Sequence, residues 1–273
     1  MKVYCCLFLL AFALDSMATP LKIGFSTSIE TVDTPPQDAV SRVLIFALDQ
    51  IPATKIKYEF VGLSRAREWQ LVKAKQDLCL YNKVKNAERE QHLIFSRFPI
   101  SVFPPNRLIV AANNRFPQQV SLRQVINSSQ LKIGIANGRS YGNLLDQEID
   151  SMRNAMFVLN GTDVDRRLIE MLATKKLDGI IDFSAAFFSR LSSLGGNATQ
   201  KFSVHRLNSA QESLFGYVGC SNTPSGRAAI GLLDATFKLP EVYAFMIALY
   251  SEQFPPEETP LVIQELESRF KEE

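Results

Sequence analysis

Residues 77–99 read Asp77-Leu-Cys-Leu-Tyr-Asn-Lys-Val-Lys-Asn86-Ala-Glu-Arg89-Glu-Gln-His-Leu-Ile-Phe95-Ser96-Arg-Phe-Pro99, and the signals in this stretch govern how the rest of the chain is read. Asp77–Tyr81 is strand-like. Asn86 is an N-cap residue type, so a one-turn helix begins at Ala87 and Arg89 takes its third position, where a guanidinium can lean over a sheet edge. The planar fork of Arg matches a carboxylate bidentately, as the point charge of Lys does not. A lone loop Arg is otherwise a solvated surface ion pair.

Outward from there, strand-like and helix-like segments alternate along the chain, the pattern of a wound α/β sheet. Leu21–Phe25 reads as a strand, and Pro35-Pro36 opens a helix with Val40, Val43, Leu44, Ala47 and Leu48 on one face. Ile56, Tyr58 and Phe60 alternate with polar neighbours, and a helix near Arg65–Lys75 leads into the Asp77 strand. Beyond it come strand Leu108–Ala112, helix Leu122–Asn127, strand Leu131–Ala136, a turn at Asn137-Gly138 and a helix from about Ser140. Strand Ala155–Leu159, helix Val164–Thr174 behind the cap candidates Thr162 and Asp163, and strand Gly179–Asp182 complete a middle block with its own winding. After the Gly195-Gly196-Asn197 turn, strands Phe202–Leu207 and Leu214–Val218 precede a run of helices that starts at Thr223-Pro224.

The chain has 273 residues, 46% of them hydrophobic, enough for two cores of ~100–150 residues each. A net charge of +2 with no concentrated basic run argues against a nucleic-acid partner. Met1-Lys2, the apolar run Val3–Leu14 and the small residues Ser16-Met17-Ala18 form a signal peptide, residues 1–18, cleaved near Ala18, which sends the mature chain to the periplasm. Residue 19 is Thr rather than Cys, so no lipid anchor follows, and no other segment approaches the ~20 apolar residues of a membrane span. In that compartment Cys79 and Cys220 form one disulfide or remain two buried thiols; spacing alone does not bring their Cα atoms within ~7 Å. We expect the bridge. With only His92 and His205 beside them, no metal site and no cofactor are expected.

The 77–99 stretch resembles the segment of family 3 extracellular solute-binding proteins in which a Thr-Pro-Glu-Arg turn is followed by a Phe-Ser/Thr strand; Asp77, Glu88, Arg89, Phe95, Ser96 and Pro99 fall at the family's spacing. The resemblance implies a type II periplasmic-binding-protein fold, two α/β lobes joined by two crossovers, with residues 19–111 plus 209–273 as the first lobe and 112–208 as the second. It implies that Arg89 grips a ligand carboxylate. Asn86-Ala87 replaces the family's Thr-Pro, and Tyr81 and Val84 stand where small polar ligand contacts are usual. Lys132–Gly142 resembles the family's strand, small-residue turn and helix start, which implies an anion site of backbone N–H groups helped by Arg139, Ser140 and the ring of Tyr141. Leu168–Phe183 resembles the helix and strand whose terminal acid holds a ligand ammonium; Asp182 is the candidate, one residue early.

A rival reading takes Gly138-Arg-Ser140-Tyr-Gly142 as a G-x-S-x-G nucleophile elbow, with Asp182 and His205 following in hydrolase order. It requires those three side chains to converge. Periplasmic dehydratases that share the solute-binding fold are a further enzymatic alternative, without a motif here. The reading that organises the most residues is a monomeric binding protein without catalysis, which captures a small anionic or zwitterionic, amino-acid-like ligand for an ABC importer's permease or a membrane sensor.

Overall fold

The computed structural model describes residues 20–27, 38–112, 116–129, 131–194, 202–210, 212–254 and 259–271. The expected signal peptide, the helix start expected at Pro35-Pro36 and the turn expected at Gly195–Asn197 lie outside them.

Two sheets divide these residues. In the first, β1 (Leu21–Thr27) runs parallel between β2 (Ile56–Gly62) and β3 (Leu78–Lys83), because α1 (Ala39–Asp49) and α2 (Arg65–Lys73) are crossover helices that return the chain to the same end of the sheet, on either side of β1. The Asp38 side chain caps α1, accepting from the Ser41 N–H at 3.1 Å. A one-turn helix, α3 (Ala87–Glu90), then leads to the short strands β4 (Leu93–Phe95) and β5 (Ser101–Phe103).

The second sheet is built from β6 (Arg107–Ala111), β7 (Gln119–Val120), β8 (Ile133–Ala136), β9 (Phe157–Leu159), β10 (Gly179–Asp182) and β11 (Phe202–Leu207), in the order β7-β11-β6-β10-β8-β9. Helices α4 (Leu122–Ser129), α5 (Asn143–Met152), α6 (Val164–Ala173) and α7 (Ser184–Ser193) connect these strands. The chain then returns as β12 (Leu214–Ser221), antiparallel to β3 and β4, giving the first sheet the order β2-β1-β3-β12-β4 with β5 also on β12. Helices α8 (Pro224–Phe237), α9 (Pro240–Gln253) and α10 (Thr259–Lys271) finish the first lobe. A Cβ on Gly226 would stand 2.0 Å from the Ser221 carbonyl oxygen, so only glycine lets α8 begin this close to β12.

One boundary differs from the sequence expectation, which gives residues 107–111 to the first lobe. Their strand β6 pairs with β10 and β11, in the middle of the second sheet, and the first crossover is therefore at residues 104–106. Leu108, Ile109 and Val110 are all fully buried, the continuous apolar run of a central strand covered on both faces. Pro104-Pro105 ends the preceding strand.

Phe25, Leu44, Leu48, Val218, Leu233 and Tyr250 centre the first lobe's core, and the Tyr250 hydroxyl donates to the Ile100 carbonyl at 2.6 Å. Cys79 on β3 stands directly opposite Cys220 on β12 with Cα atoms 4.0 Å apart, and the two are joined as a disulfide in that core.

Candidate functional site

The turns that follow β2, β3, β8, β9 and β10 meet along the seam between the lobes, where crevices beyond strand C-termini collect ligands in α/β proteins. From the first lobe, Asn86 caps α3 by accepting the Arg89 N–H at 2.9 Å, which fixes Arg89 at the third position and turns its side chain to the seam. Its guanidinium donates to the Val84 carbonyl at 2.9 Å and, across the seam, to the Gly138 carbonyl at 3.2 Å. It lies 5.2 Å from the ring of Trp69. Arg89 is buried, and among the described residues no carboxylate forms an ion pair with it. Burial lowers its proton affinity below the usual guanidinium value, against the raising influence of Asp146, Glu88 and Glu68. Gly138 takes φ +72°, and a Cβ there would be 3.6 Å from that of Arg65, so this turn packs directly on α2.

On the second lobe's side of the seam, Arg139, Asp182 and Asp146 each meet partners within that lobe. Arg139 donates to Asp182 at 2.8 Å and to Asp165 and Asn106 at 3.4 Å, and its guanidinium lies over the rings of Tyr141 and Phe183 at 4.9 and 5.0 Å. Burial opposes its charge, but Asp182 and Asp165 outweigh that and raise its affinity for the proton. The other Asp182 oxygen meets Arg190 at 3.4 Å. Ser140 donates to Asp146 at 2.5 Å, and the Tyr141 N–H donates to the same carboxylate at 2.6 Å. Asp146 belongs to the first turn of α5, so the helix start expected to take an external anion holds an internal one. The Tyr141 hydroxyl accepts the Ala136 N–H at 2.8 Å, and burial pushes its pKa up to about 12.

Of the expected ligand contacts, the structure thus brings Arg89, Arg139, Ser140 and Tyr141 around one cavity of about 310 Å³, closed further by Trp69, Asp146 and Arg153. Asp182 joins the group through Arg139. Tyr81 does not line that cavity; it packs on Phe60 in the first lobe, with its hydroxyl bonded to Thr27 and its pKa raised by burial. Beside it, Glu68 is buried with Lys83 at 2.7 Å and with the Ser26 hydroxyl, and burial lowers the Lys83 pKa against the pull of Glu68. A second cavity, about 550 Å³, lies on the other side of the α5 start, beside Lys85, Tyr217 and Arg269.

The sequence reading missed Arg65 and Asp165. Arg65 opens α2 after β2, Asp165 stands in the first turn of α6 after β9, and they join across the seam at 2.8 Å. Burial would raise the Asp165 carboxyl, but Arg65, Arg139 and Arg190 outweigh it and hold its pKa well below the usual carboxylate range. A depressed carboxylate pKa stabilises the folded form fully above its unfolded value, ~3.9, and that contribution is lost as pH falls through the folded value. The stability gap between wild type and Asp165→Asn, measured by thermal melting without ligand, should hold from pH 7 to 5 and shrink below about pH 4. A gap that stays constant down to pH 3 would contradict the clasp.

The hydrolase residues do not converge. His205 uses both ring nitrogens, one on the Pro117 carbonyl just before β7 at 2.7 Å and the other on the Ser203 hydroxyl of its own strand at 2.9 Å. Ser140 is bonded to Asp146 and Asp182 to Arg139, so His205 is hydrogen-bonded to neither, and a triad requires it to bond both.

No family model matches this chain, and no curated protein matches it in sequence. Solved structures match it in fold. A Streptococcus mutans protein from work on glutathione import through GshT and the cystine ABC importer TcyBC superposes with a TM-score of 0.67 at 11% identity, over 88% of this chain and 100% of its own. An arginine transport-system periplasmic binding protein from Legionella pneumophila gives 0.61 at 13% identity, over 87% and 100%. The GluR0 ligand-binding core from Nostoc punctiforme, in complex with L-glutamate, gives 0.59 at 15% identity, over 87% and 100%. The architecture is the two-lobed type II periplasmic-binding-protein fold.

Proposed function

We propose that this chain is a divergent family 3 solute-binding protein, a monomer that captures a small anionic or zwitterionic solute between its lobes in the periplasm and delivers it to an ABC importer or a membrane sensor. Arg89 carries the reading. A buried guanidinium that meets two carbonyls and, among the described residues, no carboxylate is a costly arrangement for a protein to keep, and a ligand carboxylate supplies the missing counter-charge with two parallel bonds. The adjoining volume, about 310 Å³, suits a solute of amino-acid size. The 77–99 motif and the shared fold point the same way. Affinity then comes from charge-assisted hydrogen bonds made as the lobes close by hinge motion.

A thermal-shift screen of metabolites on the mature protein tests this. A solute at 100 times its dissociation constant adds ~2.7 kcal/mol, or roughly 5–10 °C for a chain of this size. A screen of carboxylate metabolites without a single shift, or fluorophosphonate labelling at Ser140, would remove the binding reading.

A further inference from the structure

The larger of the two cavities lies outside the site described above. Its volume is about 550 Å³, against about 310 Å³ beside Arg89, and three parts of the molecule wall it. The first lobe supplies Lys85 from the turn after β3, Phe215 and Tyr217 on β12, and Arg269 on α10. The second supplies the start of α5 with Asn143 and Leu144, and the crossover between β11 and β12 supplies Glu212 and Ser213. Lys85 Nζ rests 3.8 Å from the centre of the Tyr217 ring, and the Arg269 guanidinium lies 4.7 Å from that of Phe215. Glu212 is the single carboxylate among the residues that line this cavity, so cations outnumber anions two to one. Leu144, on the opposite wall, is 66% exposed, an apolar side chain that folding leaves uncovered.

We propose that this cavity is a second ligand site, for a flat aromatic carboxylate, and that its occupant bridges the two lobes. A cation and an aromatic ring lie together twice in the first-lobe wall, so a planar anion finds a charge and an apolar face in the same place. The volume takes a bicyclic ring system with room for substituents. An occupant that touches both lobes and the crossover has different affinities for different lobe arrangements. It favours the present one, in which Arg65 meets Asp165 and Arg89 meets the Gly138 carbonyl across the seam. Arg89 does not line this cavity, and Tyr141 is a wall that both cavities share, so the proposal goes beyond the solute-binding reading and does not rest on it.

The test titrates the mature protein by calorimetry with 2-naphthoate, biphenyl-4-carboxylate and indole-3-acetate, each against its uncharged primary amide. At least one carboxylate should bind wild type at millimolar concentration or below, and its amide should bind about tenfold more weakly or worse, as expected when a charge-assisted bond is lost. Lys85→Met and Arg269→Met, which keep an apolar stem, should each weaken that carboxylate. Leu144→Glu should weaken it most, because it adds a negative charge to the cavity at an exposed position in a first helical turn, where an acid suits the helix and the fold survives. Arg65→Gln, which removes an ion pair between the lobes and lines no part of this cavity, should weaken it several-fold; unchanged affinity there places the occupant on one lobe and overturns the bridging. No binding of any of the three carboxylates, or equal binding of carboxylate and amide, overturns the proposal. So does a loss of binding in Arg89→Ala without one in Leu144→Glu, which puts the probe in the first cavity and supports the solute-binding reading instead. A metabolite screen that fails while carboxylate binding persists in Arg89→Ala and is lost in Leu144→Glu removes only that earlier reading.

Discussion

Arg89→Ala should weaken binding of any carboxylate solute the wild type holds by roughly 30- to 5000-fold, the ~2–5 kcal/mol lost when one member of a buried, hydrogen-bonded charge pair is truncated. The range is wide because the cost depends on how completely the lobes exclude water around the ligand. Arg89→Lys should recover little, since an ammonium at the end of a flexible stem cannot reproduce two parallel bonds. The substitution also removes donors from the Val84 and Gly138 carbonyls, so some unliganded stability is lost, up to the ~1–3 kcal/mol of an unsatisfied buried acceptor. The decisive quantity is therefore the ligand-induced shift, referenced to each variant's own unliganded melting temperature. Calorimetric titration that finds equal affinity in wild type and Arg89→Ala takes this residue out of the site, and with it the observation on which the functional reading stands.

The second large effect belongs to the disulfide. Cys79 and Cys220 are separated by 141 positions, and in the chain-entropy treatment a closed loop of that length stabilises by ~5 kcal/mol through restriction of the unfolded chain. The double variant Cys79→Ala, Cys220→Ala should melt ~10–20 °C lower in the first lobe's transition. Both half-cystines are fully buried, so reductant should leave the bridge of the native protein intact at temperatures well below its transition and attack it only once the lobe opens. Ready reduction of the native protein, or a double variant as stable as wild type, would contradict this.

Local features of the site were legible in the sequence where one short segment sets them. Asn86 caps α3 and Arg89 stands at its third position because a cap and its first turn depend on four consecutive residues. Asp182 was recognisable as an acid at a strand end for a similar reason. Its partner was not: Arg139 lies 43 residues away, and only the order β10-β8 in the second sheet brings the two turns together. Arg139 and Ser140 were legible as donors in a strand-to-helix turn, while the internal acceptors that meet them, Asp182 and Asp146, were not. Arg65 and Asp165 each look like an ordinary charged residue in a first helical turn. Their meaning arises from a pairing between lobes, which no local pattern encodes, although both stand in the first turn of the helix that follows a strand ending at the seam. The strand at 107–111 was found but assigned to the wrong lobe, because an apolar run announces burial without naming the sheet that receives it.

The place of β12 imposes an order on how the molecule can assemble during synthesis. That strand lies between β3 and β4, and everything from β6 to β11 comes earlier in the chain. As the polypeptide emerges from its N-terminus, the inner lobe has all six of its strands once residue 207 is out, while β3 and β4 still lack the neighbour that separates and pairs them. The inner lobe can therefore be complete while the outer one is still an open three-stranded edge, exposed to mispairing until residues 214–221 arrive. When they do, the same strand delivers Cys220 opposite Cys79, and oxidation locks in a register that the ladder has already chosen.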